Sequence, residues 1–171
     1  VAHIAQDKKM IETFKRGEEI HTRTAVEIFK VKPTEVTKDM RRVAKVLNFG
    51  IIYGMGSTSF ARASGLDRNE AKDFITKYFK EFEGVAKYME ETKDEAREKG
   101  YVETIFGRRR NLPDIRSTMQ MLQSSAERAA INHPIQGTAA DLVKLAMIKT
   151  RDYLHNNKKL KDVRMLLQVH D

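Results

Sequence analysis

A mainly α fold with a small β component is what this sequence predicts, and three observations predict it. Helix breakers are sparse, three prolines and nine glycines in 171 residues, while the good helix formers Ala, Glu, Lys, Met and Leu are plentiful. Apolar residues recur at three- and four-residue spacing along most of the chain, which gathers them onto helix faces. Only two stretches, near residues 101–106 and 163–171, carry the β-branched and apolar runs of strands.

Composition bounds the function before any motif does. The length allows one or two compact units with a core. Cysteine is absent, which excludes a disulfide framework and a thiolate metal site and leads to the expectation of a reducing, cytoplasmic compartment. No apolar run approaches a membrane span, and the first residues lack a signal-peptide pattern. A net charge of +8, with a pI near 9.6, implies a polyanionic partner, although charge alone does not separate nucleic acid from an anionic membrane surface.

Residues 1–30 read as helical segments. Met10, Ile11 and Phe14 form one apolar group, Gly17 punctuates, and Ile20, Ala25, Ile28 and Phe29 form the next, ahead of a loop at Val31-Lys32-Pro33. His21 stands in Glu18-Glu19-Ile20-His21-Thr22, a setting that on its own describes a surface histidine.

The stretch from Arg41 to Gly54 has two faces at helical pitch. Met40, Val43, Ala44, Leu47 and Ile51 make a stripe to bury. Arg41, Lys45, Phe49 and Tyr53 follow at intervals of four, a ridge that begins with cations and ends in rings. At about 1.5 Å rise per residue it runs roughly 12 Å from Arg41 to Phe49, comparable with a nucleoside triphosphate laid lengthwise. Cations alone would describe an ordinary solvated face. Two large rings off the apolar stripe do not fit that reading, and neither do Gly50 and Gly54, each costing about 1 kcal/mol against alanine in a helix interior. Glycine in such a place admits close approach to the backbone.

Ser57 reads as the N-cap of a short helix ending at Gly65, and Asp67 with Glu70 as a capping box opening the next. The spacing of Ala61 and Gly65 between two short helices also suits a non-catalytic helical DNA-binding module of helix-turn-helix type, which is the alternative reading. Against it, the second helix shows Phe74, Ile75, Tyr78 and Phe79, core residues rather than readers of base edges.

Helical pattern then runs from Glu70 to Lys99 with a bend expected near Gly84, and Gly100 stops it. Tyr101 to Phe106 is an expected strand, which Gly107 turns into Arg108-Arg109-Arg110 on a fixed loop, placed for contact with phosphates. Ser117 to Asn132 is a further helix, broken at His133-Pro134 because proline lacks the donor and clashes with the preceding turn. Another helix is expected from Ala139 to about His155. Asn132 and Gln136 flank the break, either as caps or as donors to the minor-groove acceptors that all base pairs share, which check pair geometry without reading sequence. Asn156 to Lys159 is a polar turn before a mostly buried strand, Met165 to Val169, followed by His170 and Asp171.

Arg41-Arg42-x-x-Lys45-x-x-x-Phe49-Gly50-x-x-Tyr53-Gly54 resembles the nucleotide-binding helix of family A DNA polymerases, the bacterial DNA polymerase I type. The resemblance extends to Ile20-His21-Thr22, to Gly100-Tyr101-Val102-Glu103-Thr104 with Phe106 to Arg110, to Asn132-x-Pro134-x-Gln136-Gly137-Thr138-Ala139-Ala140-Asp141, and to Gln168-Val169-His170-Asp171. It implies a helical fingers subdomain with a few palm strands, an incomplete polymerase domain. Residues 1–30 would be palm-to-fingers helices, 31–100 the fingers with the nucleotide-binding helix at about 38–54, and 101–171 the return into the palm through a β-hairpin, two helices and a final strand.

By the same resemblance, His21, Arg41 and Lys45 would hold the triphosphate of a dNTP, Phe49 would pack on sugar and base, and Tyr53 would guard the templating position. Arg110, Arg128, Asn132, Gln136 and His170 would contact primer–template DNA. Lys45 and Asp171 would be catalytic, with Asp171 a ligand of Mg2+. Two-metal phosphoryl transfer needs carboxylates from at least two places. The family's first carboxylate motif would stand immediately before Val1, so the chain alone is expected to be inactive. Apolar surface facing the remainder of the polymerase chain would favour self-association.

Overall fold

The computed structural model describes residues 1–169. Among them seven helices and one hairpin succeed one another: α1 (Lys8–Lys15), α2 (Ile20–Phe29), α3 (Lys38–Ile52), α4 (Ser57–Ser64), α5 (Arg68–Glu81), α6 (Glu83–Lys99), β1 (Tyr101–Glu103), β2 (Arg109–Asn111) and α7 (Gln120–Asn156). Short 3-10 turns at Pro33–Glu35, Pro113–Arg116 and Lys158–Leu160 complete the path. The expected mainly α architecture is what forms.

Local chemistry sets most boundaries. Asp7 caps α1 through Met10 N at 2.9 Å and reaches across to Gly84 N, also at 2.9 Å, so one carboxylate starts one helix and anchors it to α6. Thr37 caps α3, and Asp67 with Glu70 forms the capping box of α5. Gly65 and Gly100 end α4 and α6 in the left-handed conformation that favours glycine. The expected cap at Ser57 shifts by one: Gly56 holds the cap position and Ser57 is the first helical residue. Likewise the bend expected near Gly84 falls at Phe82, whose φ of −110° and ψ of 67° interrupt the helix. Gly84 instead gives room, since a Cβ there would lie 2.7 Å from the Asp7 Cα.

Two cores hold these elements. The first gathers Met10, Ile28, Val43, Leu47, Ile51, Phe60, Tyr78, Phe82 and Val85 from α1 through α6. The second, around Ala96, Val102, Leu112, Ile115, Ala126 and Ala130, joins α6, the hairpin and α7. Tyr88 bridges α6 to α7 by donating its hydroxyl proton to Ile131 O at 2.7 Å, and burial pushes its pKa up to about 12. The supposed recognition helix of a helix-turn-helix, α5, buries Ala71 and Tyr78 and packs Phe74, Ile75 and Phe79 against the first core, so that face does not read DNA.

Three sequence expectations are overturned. Helix α7 does not break at His133-Pro134 but runs continuously from Gln120 to Asn156, so Asn132 and Gln136 are not caps. Proline in a helix interior costs about 3 kcal/mol, and tertiary contacts concentrated at that point offset it. Ile131 O accepts from Tyr88, Gly137 O accepts from Arg108 Nη2 at 2.9 Å, and Thr138 Oγ1 accepts from Ile105 N at 3.1 Å. The strand expected over Tyr101 to Phe106 stops at Glu103, and Arg109 and Arg110 lie on β2 rather than on a loop, paired with Glu103 and Val102. Finally, Met165 to Val169 forms no strand and is exposed, Leu166 by 90%. A strand needs a paired strand to satisfy its backbone, and none pairs with this run among the described residues. The second half of α7 also leaves Leu142, Leu145 and Ile148 exposed.

Candidate functional site

Helix α3 divides as its sequence requires. Val43, Ala44, Leu47 and Ile51 are buried and Met40 is half-buried, while Arg41, Lys45 and Phe49 face solvent. The Lys45 ammonium stands 5.9 Å from the Phe49 ring centroid, so the two share one face, one turn apart. Phe49 remains 47% exposed, and Tyr53, just beyond the last helical residue Ile52, 50%. Rings this open in a helix with a well-formed apolar stripe are not core residues.

His21 joins the ridge from α2. Its ring lies 5.6 Å from that of Phe49, its Nδ1 is 3.1 Å from Asn48 Nδ2, and its Nε2 is 4.0 Å from Glu19 Oε1. Burial lowers its pKa below the usual imidazole value; Arg41 and Lys45 press the same way and Glu19 opposes them. Glu19, assigned no role from the sequence, is the organiser. It caps α2 through Thr22 N at 2.8 Å and takes Arg41 in a two-point pair, Nε at 3.2 Å and Nη2 at 2.9 Å. Burial raises the Glu19 pKa, but the hydrogen bonds from Thr22 and Arg41 prevail and hold it below the carboxylate range. Lys45 has no ion pair among the described residues, so its charge is available to an anion.

The other residues assembled by the sequence reading meet at the end of α3. Arg128, Asn132 and Gln136 recur at four-residue intervals along α7. Gln136 Nε2 donates to the Tyr53 hydroxyl at 2.7 Å, and Asn132 Nδ2 approaches Ile52 O at 3.5 Å. Arg128 lies over Gly54, where φ is +66° and an added Cβ would come 2.6 Å from Arg128 Cγ. Of the three arginines after Gly107, Arg108 turns inward to Asp141 at 2.8 Å, and Arg109 pairs with Glu103 at 2.7 Å and covers the Tyr101 ring. Arg110 is exposed without an ion pair among the described residues. His133, beneath this hairpin, has its pKa lowered by burial first; its hydrogen bond to the Arg108 carbonyl and the Asp141 charge oppose the shift, and the Arg108 and Arg110 charges add to it. His170 and Asp171 lie outside the described residues. Among those described, no three His, Asp or Glu side chains gather as a metal site.

Asn48 was the other residue missed, and its signal was present. It follows Ala44 by one turn, a polar side chain on an otherwise apolar stripe.

The helical scaffold that presents this cation–aromatic ridge against α7 is similar to part of a solved polymerase domain. The POL domain of Pol1 from M. smegmatis, solved in complex with DNA primer-template and dNTP, is similar at a TM-score of 0.86 and 39% identity over 91% of this chain and 27% of that one. The sequence model of DNA polymerase family A matches residues 1–171, and the chain belongs to that family. It is 49% identical over its whole length to DNA polymerase I of Bacillus caldotenax and 47% identical to that of Bacillus subtilis, covering 19% of each. The chain therefore spans about a fifth of the length of these relatives. No described helix is long and apolar enough to cross a membrane.

Proposed function

We propose that this chain is the part of a DNA-directed DNA polymerase that selects the incoming dNTP and grips the primer–template beside it. The division into fingers, at about residues 31–100, and flanking palm segments belongs to the same reading. Arg41, Lys45 and His21 bind the triphosphate, Phe49 packs on sugar and base, and Tyr53 stands at the templating position. Arg110 holds the duplex by phosphate contact, while Arg128, Asn132 and Gln136, with His170, address base pairs and backbone. In nucleotidyl transfer the primer hydroxyl attacks the α-phosphorus and pyrophosphate leaves. Lys45, an exposed cation on the ridge, is suited to stabilise the charge that develops on the leaving oxygens. Magnesium, when bound, would supply Lewis-acid activation in the complete enzyme, with Asp171 as a candidate ligand.

One observation carries this reading. Lys45 and Phe49 share an open face whose base-proximal end, Tyr53, is hydrogen-bonded to Gln136, so nucleotide-type and duplex-type groups form one continuous surface. Titration of the chain with a fluorescent dNTP analogue tests it. Lys45→Ala removes a charge-assisted contact worth about 1.5–3 kcal/mol and is expected to weaken binding by tenfold or more, with the melting temperature preserved. An unchanged affinity would return the ridge to an ordinary solvated face. The exposed apolar side chains of α7 favour contact with the remainder of a polymerase chain, and self-association where that is lacking.

A further inference from the structure

Asn48 is 6% exposed, and a buried amide is costly unless its donors and acceptor are satisfied. Its partners fix which way it points. Thr24 Oγ1 lies 2.8 Å from Ile20 O and gives its single proton there. Toward Asn48 that hydroxyl can then only accept, so the Asn48 atom 2.9 Å away is the Nδ2 amide. The second amide proton points at His21 Nδ1, 3.1 Å distant. A ring nitrogen that accepts a hydrogen bond carries no proton, which leaves the proton of a neutral imidazole on Nε2. Turning the amide over would bring Oδ1 to the position 2.9 Å from Thr24 Oγ1, two acceptors face to face unless Thr24 withdrew its proton from Ile20 O.

Nε2 emerges on the side of the ring shared with Arg41 and Glu19, and the 4.0 Å to Glu19 Oε1 is beyond hydrogen-bonding distance. Resting on the reading of His21 as a triphosphate ligand, we propose that Asn48 is a positioning residue: through Thr24 and the α2 backbone it holds His21 as the Nε2–H tautomer, so that a neutral ring offers a hydrogen-bond donor to a phosphate oxygen. Burial, with Arg41 and Lys45 nearby, keeps the ring neutral near pH 7, so the donor comes from the tautomer and not from charge. The relay runs Ile20 O, Thr24 hydroxyl, Asn48 amide, His21 ring, and it ties the helix that carries the ridge to the helix that carries the histidine.

Heteronuclear NMR of the His21 ring in the 171-residue chain reads the tautomer directly, without nucleotide. A bare Nδ1 and a protonated Nε2 are expected. In Asn48→Asp the carboxylate only accepts, and the proton is expected on Nδ1. For binding, Asn48→Ala is expected to weaken affinity for a fluorescent dNTP analogue roughly three- to tenfold, the range of one neutral hydrogen bond. In a His21→Ala background the same substitution should change it by less than about twofold. A protonated Nδ1 in the unmodified chain overturns the proposal, as does an undiminished loss in the His21→Ala background. If His21→Ala alone leaves affinity unchanged, the triphosphate role of His21 fails, and with it the functional part of the proposal, while the tautomer is still decided by the ring spectrum.

Discussion

Gly54→Ala tests how the two helices of the site are fitted together. The residue has φ of +66°, and a Cβ there would lie 2.6 Å from Arg128 Cγ and 3.3 Å from its Cβ. The backbone term alone is about 1–2 kcal/mol for a side chain in the left-handed region. Cβ and Cγ are the near end of the arginine, so relief requires moving the whole side chain off its rotamer, a further ~0.5–1.5 kcal/mol. Gly17 provides the reference, because its φ is +69° and a Cβ there meets nothing within 4 Å. Urea melts followed by circular dichroism should therefore show Gly54→Ala more destabilising than Gly17→Ala, the excess being the overlap with Arg128. In an Arg128→Ala background most of that excess should vanish, leaving only the 3.3 Å contact with the remaining Cβ. Primer–template titration at fixed salt should weaken in Gly54→Ala toward the value for Arg128→Ala, whereas Gly17→Ala binds normally. Equal destabilisation by the two glycine substitutions, or normal DNA affinity in Gly54→Ala where Arg128→Ala is impaired, would refute the claim that Gly54 exists to seat that arginine.

Three further outcomes follow from the same structure. Gly84→Ala would place a Cβ 2.7 Å from the Asp7 Cα and 3.0 Å from Ala5 O, backbone that cannot swing aside; a loss of about 2–4 kcal/mol by urea melt is expected from overpacking and the strained Asp7–Gly84 bond. His21 and His133 both have folded pKa values lowered by burial, so between those values and about 6.5 the unfolded chain binds more protons. Their contribution to stability should be complete above that upper limit and be lost as pH falls through the folded values, with His133→Gln flattening the dependence seen in melts at stepped pH. Arg110→Ala should lower the slope of log affinity against log salt by about 0.9, one phosphate contact, and do so alike for unrelated duplex sequences; sequence-dependent loss would instead favour base readout.

What could be read from the sequence follows how local the governing forces are. The ridge from Arg41 to Tyr53 was legible because helical pitch alone decides which side chains share a face, and the apolar stripe fixes which face is buried. Gly65, Gly100 and the Asp67–Glu70 box were legible because caps are satisfied within a few residues. Pro134 misled because its local cost is offset by groups distant in sequence, Tyr88, Ile105 and Arg108, whose hydrogen bonds support α7 on either side of it. Arg108 and Arg110 looked alike for the same reason. Only the fold turns one toward Asp141 and leaves the other in solvent. The run from Met165 to Val169 has strand composition, yet a strand is a property of two paired segments, and no second strand pairs with it among the described residues.

The two ends of the ridge are held with unequal strength, and the inequality follows from burial. Beside His21, α3 is joined to α2 through Asn48 and Thr24, both under 10% exposed, where an unmade hydrogen bond would cost the full desolvation of its groups. At the Tyr53 end the joints are Gln136 to the hydroxyl of half-exposed Tyr53, and a marginal 3.5 Å approach of Asn132 to Ile52 O. Water can replace either of those at a net cost near 1 kcal/mol. Under the proposed function, a surface that holds any of four dNTPs by the same triphosphate, while accepting a different base pair each time, would use that distribution. His21, fixed from the interior by Asn48, would meet the invariant part of the ligand, and the variable part would meet groups whose bonds exchange cheaply with solvent.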